Sequence, residues 1–337
     1  MGACVSGHTQ ITDVNRIETK ITQNSEHVAV IESSLMRRSE DRVNQYKILN
    51  CIGSGFQSKV FRVENTKIRK TRHANTKRMY AMKMLKVEKI EKIAKKDSSV
   101  VSPKGSRKRG FTWIEVQVGK IISHDNVVKL HEVISSHKTM ETFLIYEMCD
   151  GGIILNRKLN QPYPRTKLSN AIADSARGLA YLHSIGILHR DIKVENLLLT
   201  SSGVVKICDL GMAKILSRKK DEQFEDTLYK AIGSRHYRSP EMYLDESFSG
   251  FAADVWALGC VFFCLVTGEL PFPYVKGGSR KKHVRKICNA RVPSSKLLAG
   301  DLKKLIHGML KKQPGRLGLR DVRSWVDERR GSRRYDR

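Results

Sequence analysis

From Tyr46 onward the chain alternates apolar and polar residues over short runs, YKILNCIG (46–53), KVFRVEN (59–65) and RMYAMKML (78–85), separated by glycine, serine and polar clusters. A period of two between turn-forming residues predicts three strands of a small antiparallel sheet. Two more strands are expected at VVKLHEVI (127–134) and TFLIYEM (142–148), with a helix at about Phe111 to Ser123 before them. After Gly151 and Gly152 the spacing turns helical, first over Asn170 to Ser184, then in the apolar run VWALGCVFFCLV (255–266), then over Asp301 to Lys311. The pattern predicts an α+β chain of two lobes, a small antiparallel sheet lobe (46–148) plus a larger, mainly helical lobe (149–326). An extension (1–45) precedes them and a basic tail (327–337) follows. Residues from Ser6 to about Asn44 read as a polar tether with some helix, and no internal repeat is visible.

Composition narrows this picture without redirecting it. The 337 residues can hold two lobes with a real core, and 40% hydrophobic content is ordinary for a globular chain. The twelve apolar residues from Val255 to Val266 are too few to span a bilayer, so a buried core helix is expected there and no transmembrane segment. Seven cysteines without a CxxC pair make neither a disulfide framework nor a zinc site, which points to a reducing compartment. The net charge of +28 is densest in Lys86 to Arg109 and in the last nine residues, and favours polyanionic partners, an acidic membrane surface first. Aromatic and basic residues are not interleaved as a base-stacking platform requires, so nucleic acid is not expected. The stretch 86–110, with Ser98, Ser99, Ser102, Pro103 and Gly105, reads as a partly disordered basic insertion.

The first six residues, MGACVS, meet the pattern for myristoylation of Gly2, and Cys4 stands where a palmitoyl group can be added. One myristoyl chain binds bilayers only marginally, so the second acyl chain or the basic surface has to complete the anchor. The expected location is the cytoplasmic face of a membrane, or the cytoplasm if the anchor is not made. The segment lacks the apolar core of a secretory signal.

The chemistry concentrates in HRDIKVEN, His189 to Asn196, followed thirteen residues after Asn196 by Asp209, Leu210 and Gly211. This order supplies a base, a cation and two metal ligands at the spacing phosphoryl transfer from ATP needs. Asp191 is the candidate base for the attacking hydroxyl, Lys193 can offset charge on the transferred group, and Asn196 with Asp209 offers hard oxygen ligands for Mg2+. A solvated loop with an Asx turn would not carry the second signature in order. Upstream, Ile52, Gly53, Ser54, Gly55 and Ser58 lie in a hairpin whose small residues let backbone amides approach phosphates. Two glycines in a hairpin are ordinarily only a turn, so this reading depends on its context. Lys83 supplies that context, because it sits among Ala81, Met82, Met84 and Leu85, where an unpaired charge would be costly. Glu115 on the following helix is its expected partner.

With these residues in place, Tyr46 to about Trp325 resembles a complete eukaryotic protein kinase domain. The segment SPE at Ser239 to Glu241, the run DVWALG at Asp254 to Gly259, and Arg316, which pairs with Glu241 in that family, carry the resemblance further. It implies that Tyr146 is the gatekeeper, that Glu147 and Cys149 give backbone contacts to adenine, and that Ile52, Val60, Ala81 and Leu198 enclose the ring. Lys193 implies serine and threonine as acceptors. Within the family, AMKML, the basic insertion, HDNVVKLHEVI, LPF and LKKLIHGMLKKQPGR are most similar to the calcium/calmodulin-dependent protein kinase kinases and related upstream kinases. The chain ends twelve residues after Trp325, so the calmodulin-binding segment of that group, and calmodulin as a partner, are not expected.

Several positions depart from the family pattern. Ser58 replaces a glycine of the phosphate loop, and Leu210 replaces phenylalanine in the metal triplet. GSRHYRSPE replaces GTPxxxAPE, with Ser234 in the place of the threonine that contacts the base. Lys230 stands where many members carry an activating phosphosite, which leaves Arg190 without a phosphate there and Thr227 and Tyr229 as alternative sites. Ile153 stands where arginine-directed members often have an acid, so no basic-substrate preference is expected. The alternative to an enzyme is a membrane-anchored pseudokinase scaffold. Competent side chains at Lys83, Glu115, Asp191, Asn196 and Asp209 argue for the enzyme, with ATP and Mg2+ as cofactors and a protein as substrate.

Overall fold

A computed structural model describes residues 29–31, 38–39, 41–54, 58–67, 79–86, 110–135, 141–156, 161–219, 223–244, 247–273, 279–289 and 291–335. Gly2, Cys4, Gly55, Ser332 with the side chains of the tail, and nearly all of the basic insertion lie outside the residues whose side chains are described.

The smaller lobe is one sheet of eight strands: β1 (Ala29–Ile31), β2 (Arg38–Ser39), β3 (Arg42–Val43), β4 (Tyr46–Ser54), β5 (Ser58–Asn65), β6 (Met79–Lys86), β7 (Leu130–Ser135) and β8 (Glu141–Glu147). Their order is β1-β7-β8-β6-β5-β4-β3-β2, antiparallel throughout except where β1 lies parallel to β7. The five strands expected from alternation are all present. The polar stretch before Asn44 differs from the expected tether, since β1 to β3 form within it. Strands of two or three residues pair through their backbones at the sheet edges, and so leave almost no periodic trace. Registers of β4 against β5 shift between Ile48 and Asn50 and again between Cys51 and Gly53, which bends the strand.

Helix α1 (Gly110–Ile121) lies between β6 and β7 and packs on the turn formed by Leu210–Met212. The larger lobe is built around α2 (Arg165–Ser184) and α4 (Gly250–Thr267). Helix α2 begins five residues before the expected Asn170, because Arg165, Thr166 and Lys167 are polar and exposed and Leu168 alone of its first turn is buried. Helix α4 is long and apolar enough to cross a membrane by composition, yet it is the central core helix, with Trp256 and Phe262 fully buried. Ser249 caps its N-terminus by accepting from the Ala252 N–H, and Gly268 ends it in a left-handed conformation. The short helix α3 (Glu241–Leu244) precedes α4, and α5 (Arg280–Asn289), α6 (Gly300–Met309) and α7 (Leu319–Tyr335) follow it. Helix α7 continues through what reads as a basic tail. Asp327 faces Arg323 one turn earlier, and the Arg329 guanidinium covers the Trp325 ring at 4.1 Å.

One buried cluster joins the lobes. It contains Val118 and Ile122 from the α1 end, Leu210 of the metal triplet, and the apolar face of α4. Leu210 therefore serves the packing role of the usual aromatic residue, holding Asp209 at a fixed height in the cleft.

Candidate active site

The site lies where loops of the larger lobe meet β6 and α1 of the smaller. One is the turn after the strand Ile187–Leu188, whose backbone is held by Asp254 of α4. The buried Asp254 carboxylate accepts the backbone N–H groups of His189 and Arg190, both at 2.9 Å, and the His183 Nε2 at 3.0 Å. Burial alone would raise the Asp254 pKa, but the hydrogen bond and charge of His183 hold it below its ordinary value. His189 in turn donates from Nε2 to the Cys208 carbonyl (3.0 Å) and accepts the Asp191 N–H at Nδ1 (3.2 Å). These bonds fix the tautomer and tie the loop of Asp191 to the loop of Asp209. Arg190 adopts φ +64°, a strained value for a branched-off loop residue, paid by those backbone bonds.

Asp191 is 8% exposed and fully engaged. Its Oδ2 accepts Lys193 Nζ at 2.5 Å and its Oδ1 accepts the Ser234 N–H at 2.8 Å. Lys193 Nζ also reaches Ser234 Oγ at 3.4 Å. Asn196 closes the 3-10 turn Val194–Asn196, and its Nδ2 donates to the Asp191 carbonyl (2.9 Å), so Oδ1 is the atom of this side chain that could bind a metal. An open cleft lined by Lys193, Asn196, Ser234, His236 and Tyr237 borders this group.

Facing it, Lys83 of β6 donates to Glu115 Oε1 (2.7 Å) and Oε2 (2.9 Å) and to Asp209 Oδ1 (2.7 Å). Burial works against the ammonium charge, but the Glu115 and Asp209 carboxylates hold the Lys83 pKa above its ordinary value. The Lys83 charge in turn lowers Asp209 to about 2. Asp209 takes φ +63°, and its side chain remains partly open to the cleft. Tyr146 of β8 adds a contact that the sequence reading missed: its hydroxyl donates to Glu115 Oε1 at 2.8 Å. Burial first, then the Glu115 charge, raises the Tyr146 pKa well above normal. The only sequence signal for this bond is a phenol at a position where any large residue would fill the space.

The residues expected around adenine come from five elements. Ile52 and Gly53 are on β4, Val60 on β5, Ala81 on β6, Glu147 at the end of β8, and Leu198 on β11 (Leu197–Leu199). Ser54 ends β4, and Cys149 is buried just after β8. The Glu147 N–H donates to the Lys129 carbonyl (3.0 Å), so an adenine contact there has to come from the Glu147 carbonyl. Its side chain binds Lys206 Nζ at 2.9 Å and the Lys129 N–H at 2.8 Å, tying the strand end to the larger lobe. Ile153 is exposed and pairs with Leu198 across β9 (Gly152–Ile153). Thr227 is half-buried in β14 (Thr227–Leu228) opposite Ser249, whereas Tyr229 is 80% exposed. Lys230 is exposed as well. Glu241 and Arg316 form a buried two-pronged pair at 2.5 and 2.9 Å, and the Arg316 guanidinium lies over Trp256 at 4.9 Å.

The donor set tests the expected metal. Among the described residues no group of three or more His, Cys, Asp or Glu side chains could hold an ion unaided. Asn196 Oδ1 and the second oxygen of Asp209 are hard donors, and their chemistry suits a Mg2+ ion completed by phosphates and water.

A sheet lobe over a helical lobe, with a paired lysine above a carboxylate base, defines a phosphotransfer fold. The chain belongs to the protein kinase family: the family model described as Protein kinase domain matches residues 46–324. It is similar to the calcium/calmodulin-dependent protein kinase kinase of Caenorhabditis elegans, 31% identical over 315 residues, covering 88% of this chain and 55% of that protein. The probable serine/threonine-protein kinase KCC4 of Saccharomyces cerevisiae is 33% identical over 213 residues, covering 62% of this chain and 20% of that protein. CBL-interacting protein kinase 9 of rice (Oryza sativa subsp. japonica) is 33% identical over 205 residues, covering 59% and 42%. The matched part thus spans between a fifth and about half of these relatives.

Proposed function

We propose that the chain transfers the γ-phosphoryl group of ATP to serine and threonine hydroxyls of proteins. The observation that carries this reading is the double engagement of Lys83 by Glu115 and Asp209, together with an Asp191 held by Lys193 and the Ser234 N–H. Lys83 binds the α and β phosphates, and its two carboxylate partners fix where it points. Asp191 orients the acceptor hydroxyl and takes its proton as the new O–P bond forms and the bond from the γ phosphorus to the bridging oxygen of ADP breaks. Lys193 lies against the carboxylate and toward the transferred group, so it offsets negative charge there. Asn196 and Asp209 would hold Mg2+, which supplies charge neutralisation on the phosphates when bound. Mg2+-dependent incorporation of phosphate into a protein substrate, lost in Asp191→Asn, tests the reading.

Two finer parts of the proposal rest on sequence. MGACVS and the charge of +28 support anchoring of Gly2 and Cys4 acyl groups at an acidic membrane face. Membrane fractionation of wild type against Gly2→Ala and Cys4→Ser checks this, and an unchanged distribution removes it. Similarity to a kinase kinase supports other kinases as substrates. Incubation with catalytically dead kinases, followed by mapping of phosphorylated residues, is the corresponding assay.

A further inference from the structure

Between Glu269 and Asp301 the chain carries eight lysines and arginines and no acid. Helix α5 lies at the centre of this stretch, and its surface divides into two faces. His283 and Ile287 point inward, 6% and 0% exposed, whereas Lys281, Lys282, Arg285 and Lys286 are exposed. At about 100° per residue these four cations fall within an arc of about 140°, a stripe along one side of the helix. Like charges three and four residues apart on a helix repel one another, so the stripe works against the helix that carries it. Among the described residues none of the four has an ion pair or a hydrogen bond. Exposed cations elsewhere do find carboxylates: Lys304 lies 3.2 Å from Asp301, Lys219 3.4 Å from Glu225 and Arg323 3.6 Å from Asp327.

The stripe adjoins the catalytic cleft. The His283 ring of α5 lies 6.4 Å from the His236 ring, edge to face, and His236 lines the cleft beside Lys193, Asn196 and Ser234. A protein chain that leaves the cleft past His236 therefore meets the cationic helix. The cations nearer the base are engaged within the chain, Lys193 with Asp191 at 2.5 Å, and Arg238 with the Gly233 carbonyl at 3.0 Å from Nε and 2.9 Å from Nη2. Glu195 lines the cleft as well, so the cleft itself carries both signs. Attraction for acid has to come from α5, and its continuity with the cleft selects the occupant.

We propose that α5 docks an acidic segment of the protein being phosphorylated, through Lys281, Lys282, Arg285 and Lys286. The inference rests on the kinase reading above and deepens it, by naming the charge of the substrate away from its acceptor residue. One exposed ion pair contributes little, but four on one stripe act together on encounter and on residence. The helix is about 15 Å long, a span that about five extended residues cover, so a short run of aspartates or glutamates matches it.

The test uses the purified full chain and peptides that share one acceptor sequence. Before or after a short glycine–serine spacer each carries a tail of four glutamates or of four glutamines. With wild type, a glutamate tail on one side is expected to raise kcat/KM about tenfold over glutamine, through KM rather than kcat, and about 0.5 M salt should reduce that ratio below about twofold. Lys281→Gln, Lys282→Gln, Arg285→Gln and Lys286→Gln combined should bring the ratio below about twofold at low salt. If that variant fails to fold, Lys282→Gln with Arg285→Gln should cut the ratio by about threefold. Equal handling of the two tails by wild type, or a ratio that the variants keep, overturns the proposal while leaving kinase activity intact. Cosedimentation with phosphatidylcholine vesicles containing phosphatidylserine is the second arm. Vesicle binding that the fourfold variant loses, with no effect of the peptide tail, assigns the stripe to lipid and overturns the proposal as well. Absence of phosphate transfer to every peptide and to a general protein substrate would count against the kinase reading instead. In that case fluorescence anisotropy of the same peptides decides the docking, with equal affinity for the glutamate and glutamine forms overturning it.

Discussion

The hydroxyl of Tyr146 gives a sharp test of how the site is held. Tyr146→Phe removes one atom and keeps the ring, so the change is confined to the 2.8 Å bond with Glu115 Oε1. That oxygen also accepts Lys83 Nζ at 2.7 Å, so it is not orphaned by the substitution. The loss is one hydrogen bond to a charged acceptor, which in isolation is worth about 1.5–3 kcal/mol; with Lys83 still bonded, about 1–2 kcal/mol is the reasoned figure. Glu115 then has one fewer bond fixing its rotamer, and Lys83 one less constraint on its approach to phosphate. The expected outcome is a drop in kcat/KM for ATP of about tenfold, since 1.4 kcal/mol corresponds to a factor of ten. At saturating ATP, kcat/KM for the protein substrate should change much less. Initial rates over a matrix of ATP and substrate concentrations separate these. Wild-type kinetics for ATP, together with an unchanged melting temperature, would refute the claim that Tyr146 positions Glu115.

Other consequences are equally direct. Arg316→Met leaves the Glu241 carboxylate buried without its partner, which costs about 3–5 kcal/mol; for a lobe of this size that is a fall in Tm of about 10 °C by scanning calorimetry. Glu241 is pulled below its ordinary carboxylate pKa, against burial, by the hydrogen bond and charge of Arg316, so its contribution is complete above the unfolded value and is lost as pH falls through the lower folded value. Thermal melts from pH 6 to pH 3 should therefore show a steeper acid loss in wild type than in Glu241→Gln. The Arg190 guanidinium donates to the carbonyls of Met212 (2.6 Å) and Ala213 (3.2 Å). Phosphatase treatment and Lys230→Ala should each leave activity within about threefold, as Lys230 offers no hydroxyl to phosphorylate and Arg190 is held by main-chain carbonyls; full dependence on phosphorylated Thr227 would contradict this. Asp209 stays ionised down to about pH 2 because of Lys83. Asp209→Asn should therefore lose Mg2+-dependent transfer across the whole neutral and mildly acid range, without any recovery on lowering the pH.

Legibility in the sequence tracked how local each feature is. His189 to Asn196 is contiguous, and its residues act within one loop, so base, cation and ligand could be read off together. The strands and the core helix were visible because burial imposes periods of two and of 3.6 on the residues that face inward. The first turn of α2 and the whole of α5 were not, since both are mostly polar or charged and turn only a few residues inward, Leu168 in the one and His283 and Ile287 in the other. Strand β1 depends for its bonds on β7, more than a hundred residues further on, while β2 and β3 are two-residue strands that pair with each other and with β4, and none of the three has a pattern of its own. The bonds from Tyr146 to Glu115 and from Arg238 to Gly233 were hidden for the same reason: each depends on a backbone direction that only the folded chain defines. Single conformational choices, a left-handed Gly233 and a left-handed Asp209, set the details of the site.

The central claim is that Asp191 is the base of a phosphoryl transfer. Labelled ATP with Mg2+ and a protein substrate tests it most directly, comparing wild type with Asp191→Asn, whose side chain is isosteric and can still bind Lys193 weakly. The account predicts phosphoserine or phosphothreonine product from wild type, reduced about 10²–10⁴-fold in Asp191→Asn with an unchanged melting temperature. Equal transfer by the two proteins, or none by a folded wild type, would contradict it.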